Sequence, residues 1–339
     1  MQQAGGVMPG RLREVRQGLA RRWLSAKIRI RWEHDRRHIP LTPAHRELYD
    51  IILRLCHEEL GEFPDLVDCR DFNDRIQWLK LFDQSREIVR CSDKLLVRDY
   101  VRERVGDDYL TELYQVREHC TEIDFDALPS AFVIKTNHDS GTVFLVRDRA
   151  AFDRDAAFDR IEDAMVRAYG WRNGEWAYSY IRPKVFVEEF IGSEGDSPPP
   201  DYKFHCSDGK VLWLQFIAER GSRTREEIVT PEGRVTGIHF NDYMRHTGEF
   251  ACPGPWEQMK AVAGELSRGH KYVRVDLYCV QDRIYFGELT FYPLMGCIKG
   301  AGQKPLGRLL DFDRTTTKPC ILAKLETERS RREFYRVLE

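Results

Sequence analysis

The segment YVRVDLYCVQDRIYFGELTFYP, residues 272–293, holds the most informative chemistry in the chain. Side chains two apart on a strand share a face, so Arg274 and Asp276 point the same way, as do Glu288 and Thr290. A hairpin turning across Gln281-Asp282 can bring those two faces together. An Asp and a Glu converging beside an Arg suit Mg²⁺ and phosphate, because hard oxygens hold the ion and a guanidinium receives phosphate oxygens. Standing alone, the same pattern also reads as a surface cross-strand salt bridge.

Other residues of matching chemistry lie upstream. The apolar strand 131–136 (AFVIKT) rises to Lys135, and the turn 137–141 (NHDSG) follows with Ser140 and Gly141, whose backbone N–H groups can approach phosphate oxygens. Residues 142–146 (TVFLV) form its return strand. The strand 184–191 (KVFVEEFI) places Glu188 and Glu189 just before a Gly/Ser/Pro-rich loop, 192–200, the best internal lobe boundary. Strand-end backbone there can hydrogen-bond a purine, although an exposed strand end has the same appearance. Lys203 adds a cation on the strand 201–206, which pairs with 211–218 around Ser207-Asp208-Gly209. Helical spacing covers 44–60, 71–82, 93–104, 151–169, 257–266 and 321–338, with Gly61 and Pro64 breaking the pattern between the first two.

The order of these pieces resembles the ATP-grasp fold, and most closely its TupA-like family, named for teichuronopeptide synthesis and associated with surface-polysaccharide loci. The resemblance runs from about Asp71 to Leu310 and is carried by DFNDRIQWLKLFD, SDKLLVRDYV, EIDFDALPSAFVIKTNHDSG, DYKFHCSDGK and VRVDLYCVQDRIYFGELTFYP. It implies an α+β fold, with two α+β lobes sandwiching ATP behind an N-terminal helical extension. The chain then divides into a basic helical segment 1–40, a helical region 41–92, lobes 93–191 and 192–311, and a C-terminal helix 312–339. The resemblance further implies that Lys135 and Lys203 contact ATP phosphates over the Ser140-Gly141 loop, that Glu188, Glu189 and Ile191 line the adenine, and that Asp201 holds the ribose. Asp276 and Glu288 would bind Mg²⁺, and Arg274 would steady the transferred phosphoryl group. Thr290 stands where the second metal strand usually has Asn, so its hydroxyl is a weaker ligand. Asp139 stands where relatives tend to have Gly, which puts a carboxylate near phosphate.

The activity so implied is an ADP-forming ligase that activates a carboxylate as an acyl phosphate and couples it to an amine. An alternative is a phosphotransferase acting on an amide or carboxylate. A glycosyltransferase is a third reading, resting on D-x-D at 124–126 and 311–313. His138, Arg220, Arg223, Arg225 and Lys299 lie in expected loops and suit an anionic acceptor such as an amino acid or uronate, with His138 a candidate base.

The 339 residues suffice for a large core without staples, and 42% hydrophobic with 32% charged content excludes a disordered or collagen-like chain. With 53 Lys+Arg against 55 Asp+Glu, nothing marks a nucleic-acid binder. Residues 11–38 nonetheless carry a local +7, against about −9 for the remainder. Leu12, Val15, Leu19, Trp23, Ala26 and Ile30 recur there at helical spacing among arginines. That stripe serves either a membrane surface or partner, or packing on its own domain with Arg stems covering apolar surface. Nine cysteines without a C-x-x-C pair fit a reduced, cytoplasmic setting, and no spanning apolar run or export signal is expected.

Overall fold

The computed structural model describes residues 10–167, 169–192, 198–219, 224–318 and 320. Arg220, Arg223 and the helix expected over 321–338 lie outside them. Five helices come first: α1 (Gly10–Asp35), α2 (Arg46–Leu60), α3 (Phe72–Phe82), α4 (Arg86–Ser92) and α5 (Leu96–Val105). The first sheet then takes β1 (Leu113–Arg117), β2 (Phe132–Thr136), β3 (Val143–Val146) and, after α6 (Arg154–Val166), β4 (Val185–Glu189). A second sheet holds β5 (Asp201–Ser207), β6 (Lys210–Ala218), β7 (Arg225–Val229) and, after α7 (Trp256–Ser267), β8 (Val273–Val280) and β9 (Arg283–Thr290). The chain continues into α8 (Gln303–Leu309). Strand order is β1-β4-β2-β3 in one sheet and β7-β6-β5-β8-β9 in the other, every pair antiparallel.

Local chemistry explains the element ends. Gly61 closes α2 in the left-handed conformation, its N–H donating to the His57 carbonyl. Asp71 caps α3 by accepting from Asp74 N–H, and Asp74 reaches back to the Asp71 N–H. Gln281 and Asp282 both adopt positive φ, 51° and 60°, the twist that a two-residue hairpin requires. Four elements escape sequence periodicity. β1 buries one residue of five, so it shows no alternation, and α4 and α8 are only seven residues long. β7 reads REEIV, yet Glu226 and Glu227 are fully buried. Glu226 accepts from Gln215 Nε2, from the Phe240 and Asn241 N–H groups and from Asn241 Nδ2, at 2.7–2.9 Å. Each buried carboxylate is thereby satisfied by partners distant in sequence.

The core falls into two unequal parts. Phe132, Ile134, Ile161, Val185 and Val187 join Phe125 in a small cluster behind the first sheet. The helices before that sheet belong elsewhere: Phe72 of α3 meets Trp213, His205, Tyr272 and Phe240 at edge-on angles, inside one continuous core with the second sheet. Asn73 donates to the Ile298 carbonyl at 2.9 Å, and the Tyr100 hydroxyl of α5 donates to the Leu266 carbonyl of α7 at 2.9 Å. The helical region 41–92 is therefore built into the second sheet's core rather than standing before the first. All nine cysteines are free thiols, and among the described residues no helix is long and apolar enough to cross a membrane.

Four histidines, His45, His138, His205 and His270, are buried with depressed pKa values, burial being the main cause in each, and His270 is brought down to about 4. Such groups stay neutral when folded and protonate when unfolded, so their stability contribution is present above about pH 6.5 and is lost as pH falls below it. Each steepens the loss by up to about 1.4 kcal/mol per pH unit. Carboxyls raised by burial, Glu175 to about 7 and Asp74 to about 6, take up protons in the folded state over the same range and offset part of this loss. Urea unfolding at pH 7.5, 6 and 5 should still show a net fall in stability, and stability that rises as pH falls over that range would contradict the burial of neutral imidazoles.

Candidate active site

Strand register assembles the charged residues. β5 and β8 set Lys203 opposite Asp276 and His205 opposite Arg274, while β8 and β9 set Asp276 opposite Glu288 and Arg274 opposite Thr290. A bulge at Gly287 shifts the register beyond that point. A Cβ on Gly287 would come within 3.0 Å of the Tyr278 ring and 3.1 Å of the Asp276 carbonyl, so a larger residue would need its neighbours to give by a few tenths of an ångström.

Arg274 holds Asp276 with two bonds, Nε to Oδ1 at 2.6 Å and Nη2 to Oδ2 at 2.7 Å. The same Nη2 donates to Glu288 Oε1 at 3.1 Å and Thr290 Oγ1 at 3.0 Å, and the Thr290 hydroxyl donates to Glu288 Oε1 at 3.0 Å. Lys203 Nζ donates to Asp276 Oδ2 at 2.5 Å and lies 3.4 Å from Asp201. Burial pushes the Asp276 carboxyl up, but Arg274 and then Lys203 outweigh it and hold the group below the ordinary carboxylate range. Burial likewise disfavours charge on Arg274, and the two carboxylates more than reverse this, raising its pKa. The expected convergence of the two strand faces is present.

The facing sheet supplies a second charged group. Lys135 donates to Glu188 Oε1 at 2.5 Å, and Glu188 Oε2 accepts from the Thr111 hydroxyl at 2.7 Å with Arg98 at 3.5 Å. Against the upward push of burial, Lys135, Thr111 and Arg98 keep the Glu188 pKa low. The turn after β2 is anchored by Asn137. Its side chain donates to Asp93 Oδ2 and the Arg182 carbonyl, both at 3.0 Å, and accepts from the Lys184 N–H at 2.7 Å. Asp139 turns inward, accepting from the Thr136 hydroxyl and, at 2.5 Å, from the Thr142 hydroxyl. Its carboxylate thus braces the loop instead of opposing phosphate, while Ser140 and Gly141, the latter at φ 101°, face the cleft.

Between the sheets lies a cleft of about 330 Å³. Its walls are Val133, Val143, Leu145, Phe190 and Ile191 on one side, with Tyr278 and Phe286 on the other. Its polar end gathers Lys94, Lys135, Ser140, Gly141, Glu188, Lys203, Asp276 and Glu288, while Glu189 and Asp201 also line it. A cleft lined by apolar side chains together with cations, loop N–H groups and carboxylates suits a nucleotide with its phosphates. No group of three or more His, Cys, Asp or Glu side chains able to hold a metal occurs among the described residues. Asp276 and Glu288 with Thr290 still fit Mg²⁺, which commonly takes one or two carboxylates and completes its shell with phosphate oxygens and water.

Several expectations change. His138 is buried away from the cleft, its Nε2 3.0 Å from the Ala164 carbonyl at the end of α6, so it offers no base to an acceptor. Arg225 lies on β7, bonded to the Thr247 hydroxyl and the Glu249 carbonyl, and Lys299 pairs with Glu59 at 2.8 Å on the surface. Neither lines the cleft. The D-x-D aspartates cap local turns: Asp124 accepts from the Asp126 N–H and Asp313 from the Thr315 N–H. Sequence reading missed Lys94, read only as part of a helix start, whose ammonium donates to the Asp139 carbonyl and reaches the cleft. Burial lowers its pKa, opposed by Glu288 and Asp139. A second concavity of about 250 Å³ backs onto the same loop, lined by Asp139–Thr142, Arg160, Asp163, Ala164, Arg167 and Tyr169.

Comparison with solved structures finds distant likenesses. A D-alanine–D-alanine ligase from Bacillus anthracis, complexed with ATP, is 18% identical over 64% of this chain and 60% of its own, with a TM-score of 0.35. An L-amino acid ligase from Bacillus licheniformis is 14% identical over 68% of this chain and 53% of its own, at 0.39. A D-alanine–D-alanine ligase from Helicobacter pylori is 12% identical over 73% and 68%, at 0.37. The chain thus spans about 60% and 53% of the first two ligases. No curated protein matches the sequence. The TupA-like ATP-grasp model, in contrast, matches residues 74–304, which include both sheets and every charged residue of the cleft, and the chain belongs to that family.

Proposed function

We propose that the protein is an ATP- and Mg²⁺-dependent ligase that joins a carboxylate to an amine, releasing ADP and phosphate. The observation that carries this reading is the meeting of two charged sets in the lining of one cleft: Lys135 with Glu188 from the first sheet, and Lys203, Asp276 and Glu288 from the second, the last two bonded to Arg274, which does not itself line the cleft.

In this reading the adenine lies between Val133 or Leu145 and the Tyr278–Phe286 side, with Glu189–Ile191 at its edge and Asp201 near the ribose. Lys135, Lys203, Lys94 and the Ser140-Gly141 N–H groups receive the phosphates. Asp276, Glu288 and Thr290 would hold Mg²⁺, which neutralises phosphate charge when bound. Arg274 is already fixed on both carboxylates, so its guanidinium needs no rearrangement to meet charge developing on the transferred phosphoryl group. The substrate carboxylate attacks the γ-phosphorus, the bond to ADP breaks, and an amine then displaces phosphate from the acyl phosphate. Positioning and charge stabilisation supply the catalysis, and no protein nucleophile is required.

The acceptor would occupy the second concavity. Arg160 and Arg167 offer guanidiniums and Asp163 a carboxylate, a set that matches a zwitterionic amino acid or a uronate beside the phosphate loop. Arg160 is seated over the Phe144 ring at 4.9 Å.

Glu288→Gln and Arg274→Ala should each lower ATP turnover by about a hundredfold or more. Near-normal ADP release by both would remove the site assignment. Arg160→Ala with Arg167→Ala should raise the acceptor KM about tenfold or more while leaving the ATP KM within about twofold, and an unchanged acceptor KM would move the acceptor elsewhere. Incubation with ATP, Mg²⁺ and pools of amino acids and uronic acids should yield ADP and free phosphate. Phosphate retained on the product would instead identify a phosphotransferase, and AMP would overturn the mechanism.

A further inference from the structure

Helix α1 has two apolar faces, and the fold uses one. Ile28 and Trp32 are buried against the core with Leu24 packed beside them. Asp35 closes the same face, accepting from the Tyr49 hydroxyl at 2.9 Å and pairing with Arg31 at 2.8 Å. At about 100° per residue, Leu19, Trp23 and Ile30 fall within about 40° of one another, and Ile28 lies about 180° from Leu19. Those three large side chains are 59%, 57% and 72% exposed. The stripe seen in the sequence is therefore the outer face of α1, and packing on its own domain does not account for it. In sequence the same spacing continues upstream at Val15 and Leu12.

Cations border this stripe. On the helical wheel Arg22 and Arg29 lie along one side and Lys27 along the other, with the Lys27 ammonium 3.5 Å over the Trp23 ring. Arg21, Arg22, Lys27 and Arg29 take part in no ion pair among the described residues, whereas the nearby Glu33 is neutralised by Arg36 at 2.8 Å. The balance is the local +7 of residues 11–38, in a chain whose remainder is acidic.

We propose that the outer face of α1 docks the protein on an anionic bilayer surface. Leu19, Trp23 and Ile30 enter the headgroup–acyl boundary, and Arg22, Lys27 and Arg29 meet lipid phosphates. A narrow apolar stripe with long cationic side chains on both flanks matches a helix lying in the interface plane, and the helix is too polar to span. Charge complementarity selects the occupant: cations distributed along both flanks suit a plane of negative headgroups, and each basic residue near such a surface strengthens binding cumulatively. The acidic remainder of the chain opposes any other orientation on that surface.

The test is co-sedimentation of the full chain with vesicles of phosphatidylcholine alone and with one quarter phosphatidylglycerol, at 0.05 and 0.5 M salt. The protein should sediment with the anionic vesicles at low salt, at least tenfold less with neutral vesicles, and less again at high salt. Leu19→Asp combined with Trp23→Asp and Ile30→Asp should abolish sedimentation while leaving the thermal unfolding midpoint unchanged, because these side chains touch no core. Arg22→Glu with Arg29→Glu should weaken it at least tenfold. Failure to bind anionic vesicles, equal binding to neutral ones, or binding indifferent to the triple substitution would each overturn the proposal. A concentration-dependent dimer that the triple substitution dissolves, without vesicle binding, would assign the face to a second copy of the chain instead.

Discussion

Asp276 and Glu288 are direct cross-strand partners, so their Cβ atoms stand about 5 Å apart. Two carboxylates at that spacing repel by roughly 3 kcal/mol at an effective dielectric constant near 20. Arg274 relieves the conflict by binding both, and Lys203 adds a second cation on Asp276. Much of the second sheet serves this cluster. The bulge at Gly287 sets the end of the shared register, and His205, directly opposite Arg274, is kept neutral by burial and by that same guanidinium. A protonated imidazole there would compete with Arg274 for the same carboxylates.

The first sheet repeats the arrangement with opposite emphasis. A single buried carboxylate, Glu188, draws Lys135, Thr111 and Arg98 onto one point. Lys135 is thereby held in the lining of the cleft to which the second sheet contributes Lys203. Asn137 ties the intervening turn to Asp93 and to the entry of β4, and Asp139 closes it from within. The loop whose N–H groups line the cleft is thus braced by side chains pointing away from it. The Asp139 carboxylate adds bonds internal to the loop rather than a charge in the cleft.

Sequence made the two-residue periodicities legible. Arg274 with Asp276, and Glu288 with Thr290, could each be placed on one face because strand alternation is local, but setting the two pairs opposite one another takes the bulge at Gly287, since the Gln281-Asp282 turn alone would pair Asp276 with Gly287. Lys94 could not be placed that way: its position depends on the start of α5 meeting a loop more than forty residues later, at the Asp139 carbonyl. His138 misled for the converse reason. It adjoins the phosphate loop in sequence, but residues 137–141 form a turn in which the two-residue period of a strand does not hold, so His138 faces the Ala164 carbonyl while Ser140 lines the cleft. β7 stayed hidden because buried glutamates look like solvated ones until the loop at 240–248 supplies their donors. The apolar stripe of α1 was visible, but which face the core would take was not, since Leu24, Ile28 and Trp32 form an equally good second stripe.

Equilibrium binding of ATP, measured by calorimetry with and without Mg²⁺, tests the central claim that the two charged sets enclose one nucleotide-phosphate site. One ATP should bind per chain with Mg²⁺ present, at least tenfold more weakly when Mg²⁺ is withheld, because Asp276 and Glu288 then face phosphate without the ion between them. ATP binding that is absent, or that is indifferent to Mg²⁺, would contradict the account.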